Sequence, residues 1–165
     1  MLISAPPSVE LRELTPDDWA AVADIYWDGL RGGLASFETE VPSWEEWDAA
    51  HLPGHRVVAE QFGEVVGWAA LSPASSRRCY AGVSENSVYV AREARGRGIG
   101  RALLEQLIAG ARRAGIWTIQ TSIFPENRAS MALHERCGFK IVGIRDRIAK
   151  RDGIWRDTVL LENRL

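Results

Sequence analysis

The stretch from Ser87 to Leu104 constrains this chain more tightly than any other. Ser87-Val88-Tyr89-Val90 reads as a strand, because β-branched and aromatic residues pack well on a pleated surface. A basic turn with glycines at 96, 98 and 100 follows, and an amphipathic helix starts abruptly at its end, running to about Ala114. Glycine leaves the backbone unobstructed, so several N–H groups can converge on one anion. The first helical turn adds unpaired N–H donors and the positive end of the helix dipole. Arg95, Arg97 and Arg101 bring permanent cations to the same point. The turn reads as a seat for a phosphate ester.

Two familiar phosphate-binding loops do not fit. A nucleoside-triphosphate loop needs Lys-Ser or Lys-Thr at its end, and this chain has Gly100-Arg101-Ala102. A dinucleotide fingerprint needs a third glycine where Arg101 stands, and an acid about 20 residues later. The next strand, Ile116 to Ile123, contains no acid. What remains is Arg95-x-x-Gly98-x-Gly100.

At 165 residues the chain is expected to form a single domain over residues 1–165, with 1–8 as a loosely ordered tail. Hydrophobic content of 46% and charged content of 25% are those of an ordinary globular protein. The net charge of −2 gives no basis for a general nucleic-acid or membrane surface. Met1 to Val9 holds Pro6-Pro7 and no long apolar core, so neither a signal peptide nor a membrane span is expected there. Cys79 and Cys137 have no metal spacing or disulfide framework, and His51, His55 and His134 form no ligand set. A metal-free protein of the cytoplasm is the expectation, with both thiols as packing residues.

Along the chain, Val9 to Leu14 alternates like a half-buried strand. Thr15-Pro16-Asp17-Asp18 signals a helix start, and a loop is expected from Gly29 to Glu40. Ser43 and Glu46 form a capping box for a second helix that ends at Leu52-Pro53-Gly54. Arg56–Glu60 and Val65–Leu71 read as a hairpin, Ser72–Gly82 as a polar loop, and Glu85–Val90 as the next strand. After the strand at Ile116–Ile123, a helix begins at Asn127 and stops at Cys137-Gly138. Phe139–Ile148 and Thr158–Leu161 supply the last strands, joined through Asp152-Gly153. The order β-α-α-β-β-β-α-β-α-β-β predicts an α/β (α+β) fold, a mixed central sheet of about six to seven strands flanked by about four helices.

The Arg95-x-x-Gly98-x-Gly100 turn resembles the pyrophosphate-binding turn of the GNAT family of N-acetyltransferases, which bind acetyl-CoA. Asn127 to Phe139 is similar to that family's second cofactor motif, with an asparagine at the helix start and Gly138-Phe139 behind the helix. Arg77 to Val90, Ser36-Phe37-Glu38 and Asp152 to Asp157 resemble the subgroup that acetylates phosphinothricin and methionine sulfone or sulfoximine. Departures fall on the acceptor side: Val83 where threonine is usual, Cys79 where alanine is frequent, and Arg151 where lysine is common.

The resemblance implies site roles. Glu85 is the general base, and His134 stands where many members carry a tyrosine that protonates the leaving thiolate. Val88, Tyr89 and Val90, then Arg95, Gly96, Arg97, Gly98, Ile99, Gly100 and Arg101, with Asn127 and Ser130, bind the cofactor. Phe37, Glu38, Arg77, Tyr80, Asn86 and Ser87 face the amine, with Arg78 and Trp155 as further candidates for a carboxylate contact and a pocket wall. A homodimer is expected as well. The alternatives are a protein or peptide N-terminal acetyltransferase, and a non-catalytic acetyl-CoA-binding regulatory module.

Overall fold

A computed structural model of the chain describes residues 8–165. The tail expected over 1–8 therefore lies, except for Ser8, outside the described residues. Strand β1 (Val9–Glu13) leads through a 3-10 turn at Pro16–Asp18 into α1 (Trp19–Arg31), and α2 (Trp44–Ala50) follows. Then come β2 (Arg56–Gln61), β3 (Glu64–Pro73), β4 (Val83–Val90), α3 (Ile99–Arg113), β5 (Thr118–Ile123), α4 (Arg128–Arg136), β6 (Lys140–Arg151) and β7 (Ile154–Arg164). All seven strands form one sheet in the order β1-β2-β3-β4-β5-β7-β6. Only β4 and β5 run parallel, with α3 as the crossover between them; the other neighbours are antiparallel. The mixed sheet and its four helices are the architecture that the pattern predicts.

Helices cover both faces. A side chain on Gly67 of β3 would meet Ile99 and Leu103, so α3 covers that face. Trp68, the next residue, points the other way, into a cluster with Tyr26 of α1, Trp47 of α2 and Tyr89 of β4. Ser43 caps α2 as expected, its hydroxyl accepting the Glu46 N–H at 3.2 Å.

Three boundaries differ from expectation. Helix α1 continues through Gly29 to Arg31. A Cβ at Gly29 would lie 2.6 Å from the Tyr89 ring, so this glycine is required by close packing and does not end the helix. Strand β3 extends to Pro73, which shortens the loop before β4. The last two strands form a hairpin much longer than predicted. Its distal half keeps backbone pairing with little burial, so no alternating pattern betrays it; Ile144 is 68% exposed and Ile154 65%.

Candidate active site

Strands β4 and β5 pair only at Val83↔Thr118, Ser84↔Ile119 and Glu85↔Gln120. Beyond Glu85 they diverge, and β4 continues to Val90 with a partner only on its β3 side. Ala91 donates its N–H to Val66 of β3 at 2.8 Å. By the two-residue period, the backbone groups of Val90 and Val88 face the opened edge. The carbonyl of Val90 accepts Nε–H from Arg95 there, at 3.1 Å. The result is a wedge lined on one side by unpaired strand backbone.

The wide end of the wedge meets the start of α3. Gly98 is the N-cap in the left-handed conformation (φ 81°), a geometry that disfavours any residue with a Cβ. It provides no side-chain cap, so the N–H groups of Ile99, Gly100 and Arg101 are left without intrahelical acceptors. A Cβ on Gly96 would project into open space. Each of the three arginines expected to gather at this turn has a partner within the chain. Arg95 holds Val90, Arg97 donates to the Glu93 carbonyl at 3.1 Å, and Arg101 pairs with Glu105 at 2.8 Å, one turn along α3. Converging donors here are backbone groups first and guanidinium groups second.

The closed end of the wedge carries the carboxylate. Glu85 is half-buried, and Gln120 donates Nε2–H to its Oε1 at 3.0 Å, while Oε2 has no hydrogen-bond partner among the described residues. Alternation along β4 sets Glu85, Ser87 and Tyr89 towards α1 and α2, and Asn86, Val88 and Val90 towards α3 and α4. Burial pushes the Tyr89 phenol upwards, and the nearby Tyr26 and Glu38 add to this. Glu38 thus approaches the same face as Glu85. Phe37 beside it packs edge-on against Phe124, with ring centroids 4.9 Å apart.

On the α4 side, His134 is 3% exposed and Asn86 9%. His134 Nδ1 lies 2.8 Å from the Ser130 carbonyl, which can only accept, so the proton is on Nδ1. Nε2 then accepts from Asn86 Nδ2 at 3.0 Å. Burial lowers the pKa of His134, with the Ser130 bond opposing, so the ring is held neutral. This runs against the expected acid role, because the nitrogen facing Asn86 has no proton to give. Asn127 is likewise occupied: its Oδ1 caps Ser130 N–H at 3.2 Å and its Nδ2 donates to the Leu34 carbonyl at 3.1 Å. Arg77 and Tyr80 sit in the exposed loop before β4, paired with each other, the guanidinium 5.4 Å from the ring centroid. Trp155 lies out on the hairpin under Lys150 and is more than half exposed. Burial pushes the Cys137 thiol up to about 11, the behaviour of a packing residue.

The model of the acetyltransferase (GNAT) family matches residues 19–139. The chain belongs to this family. It is 36% identical over 164 residues to the phosphinothricin N-acetyltransferase of Alcaligenes faecalis, covering 94% of this chain and 82% of that protein. Among solved structures, it is similar to a GNAT phosphinothricin acetyltransferase from Sinorhizobium meliloti in complex with AcCoA. That match has 30% identity and a TM-score of 0.86, over 96% of this chain and 89% of the other. The ribosomal-protein-alanine N-acetyltransferase of Brucella melitensis also superposes at a TM-score of 0.86, with 33% identity over 94% of this chain and 99% of that one.

For this GNAT acetyltransferase, two residues beyond the motifs shape the site. Gln120 orients the Glu85 carboxylate from the neighbouring strand. Arg151, buried near the hairpin turn, donates to the carbonyls of Leu30, Ser36 and Glu38 at 2.7, 2.5 and 2.8 Å. It thereby fastens the loop after α1 against β6. The only sequence signal for Arg151 is its departure from the subgroup's lysine. Among the described residues, no cluster of His, Cys, Asp and Glu is arranged to hold a metal, and no helix is long and apolar enough to cross a membrane.

Proposed function

We propose that this chain, as a single catalytic domain, transfers acetyl from acetyl-CoA to the primary amine of a small amino-acid-like molecule of the phosphinothricin, methionine sulfone or methionine sulfoximine class. One observation carries the reading: the unpaired edge of β4 runs from a carboxylate at Glu85 directly to an uncapped helix N-terminus at Gly98–Arg101. An extended arm with a phosphate at one end and a reactive centre at the other matches that path. Acetyl-CoA supplies such an arm, with an acyl group activated by a thiol leaving group.

The chain's own groups divide the work. N–H donors of Ile99, Gly100 and Arg101 hold pyrophosphate, helped by Arg95 and Arg97. The free N–H groups of Val88 and Val90 hold the arm and oppose the negative charge that develops on the acyl oxygen. Glu85 Oε2, the oxygen that Gln120 does not bond, takes a proton from the amine directly or through water. Phe37 and Glu38, fastened by Arg151, bound the amine side together with Ser87.

The test is thiol release from acetyl-CoA across phosphinothricin, methionine sulfone, methionine sulfoximine, ordinary amino acids and short peptides. Turnover at least about tenfold faster on the first three is the expected result. The Brucella relative keeps a second reading in view, acetylation of a protein N-terminus. Preference for Ala-terminated peptides would establish that reading instead. Tight acetyl-CoA binding with no turnover on any amine would favour a non-catalytic module.

A homodimer in the cytoplasm completes the proposal. Ile141, Val142, Ile144, Ile148, Ile154 and Trp155 are all at least half exposed on the β6–β7 hairpin, an apolar concentration suited to a second copy. Register shifts in β6 and a positive φ at Arg147 blunt its free edge, so the copies would meet by faces and not by strand addition. Sedimentation at micromolar concentration is expected to show a dimer, and Ile144→Glu with Ile154→Glu a monomer. A monomeric wild type would refute the interface.

A further inference from the structure

The pairing of Asn86 with His134 leaves one atom unaccounted for. The Asn86 carboxamide donates Nδ2–H to His134, while its oxygen Oδ1 is buried and has no hydrogen-bond partner among the described residues. The large majority of buried side-chain polar atoms have a partner, and a buried acceptor without one is costly. Orientation of the amide is not free. Ser130 fixes the His134 tautomer, the bare Nε2 demands a donor, and so the NH2 group faces His134 and the oxygen faces away. Phe139 closes the other side of the imidazole edge-on, with centroids 5.0 Å apart. Asn86 is also the first residue of β4 past its last pairing with β5, at the apex of the wedge.

We propose that Asn86 Oδ1 accepts a hydrogen bond from an N–H group of the bound substrates, and that His134 is the positioning residue that turns the oxygen to this task. The inference rests on the acetyl-transfer reading and gives the apex of that site a specific partner. Two sources present such a donor: an amide N–H along the acetyl-CoA arm, and the acceptor amine itself. A lone imidazole lone pair in a dry site would otherwise have little use. Here it selects which end of a carboxamide faces the substrates.

Asn86→Leu removes the acceptor with little change in size. If the donor belongs to the acetyl-CoA arm, calorimetric affinity for CoA falls about tenfold and the KM for the amine is unchanged. If it belongs to the amine, that KM rises about tenfold and CoA affinity is unchanged. If neither CoA affinity nor the amine KM changes, the proposal is overturned. His134→Phe should weaken the same ligand less, since the freed amide still samples the productive orientation, and should add nothing in the Asn86→Leu background. Additive losses would mean that His134 does not act through Asn86.

A measurement on the wild type guards against misfolded variants. Nitrogen NMR should show His134 protonated at Nδ1 only, and the Asn86 side-chain amide should shift on adding CoA or the amine. An amide silent to both ligands also overturns the proposal. Wild-type protein that binds no CoA would instead sink the acetyl-transfer reading.

Discussion

Replacing Glu85 with glutamine is expected to lower kcat/KM for the amine by about 10²- to 10⁴-fold, while acetyl-CoA affinity and melting temperature remain those of the wild type. The substitution keeps shape, and an amide oxygen can still accept the Gln120 N–H that now meets Oε1. What disappears is the capacity to take a proton. An α-amine with a pKa of about 8 is mostly ammonium at neutral pH, and ammonium has no lone pair for attack. The defect should therefore be largest near pH 7 and shrink as the pH rises past the amine's own pKa. A variant that turns over within about threefold of wild type at every pH would show that solvent removes the proton. Glu85 would then serve only to place the amine.

Parts of the site whose chemistry is local are legible in the sequence. The turn at Arg95–Arg101 could be read because its chemistry is local: glycines, a helix start and backbone donors within a few residues. Arg101 is harder to read, because a guanidinium reaches several ångströms and finds Glu105 one turn along its own helix. Asn127 stands at a helix start as its sequence context predicts, while the cap and the Leu34 contact, which hold its amide in place, join it to partners that sequence does not show. Gln120 and Arg151 were invisible as site residues, since each acts through a partner far away in sequence. His134 stood out, but its role depends on which ring nitrogen carries the proton. Only the neighbours Ser130 and Asn86 decide that.

Fold legibility divided along burial. The element order could be read throughout, since buried faces impose period on sequence. The distal β6–β7 hairpin could not, because exposed residues such as Ile144 and Ile154 follow no solvent-facing rule. Gly29 lacks a legible signal for the converse reason: its meaning lies in the Tyr89 ring that packs against it.

That ring is where stability and site meet, and Trp68→Ala should be the most damaging core substitution. Trp68 is fully buried and lies opposite Tyr89 across the β3–β4 pair. Its ring stacks on Tyr89 at 5.0 Å and contacts Tyr26 at 5.4 Å and Trp47 at 5.7 Å. Truncating a large aromatic in such a core costs about 3–5 kcal/mol, against a total stability of about 5–15 kcal/mol. At about 2–4 °C per kcal/mol for a chain of this size, melting should fall by roughly 6–20 °C. Affinity for acetyl-CoA should fall too, even where the variant is still folded, because Tyr89 loses the wall that holds β4 in line along the open wedge. Trp68→Phe separates packing from polarity. It keeps an aromatic ring and removes the indole Nε1–H, which is buried without an acceptor. Relief of that unpaired donor offsets part of the lost volume, so its melting temperature should drop by roughly half as much or less. Thermal denaturation and calorimetry on both variants decide the matter. If Trp68→Ala melts within about 3 °C of wild type, the aromatic cluster is not what holds β4, and the wedge owes its shape to α3 and α4 instead.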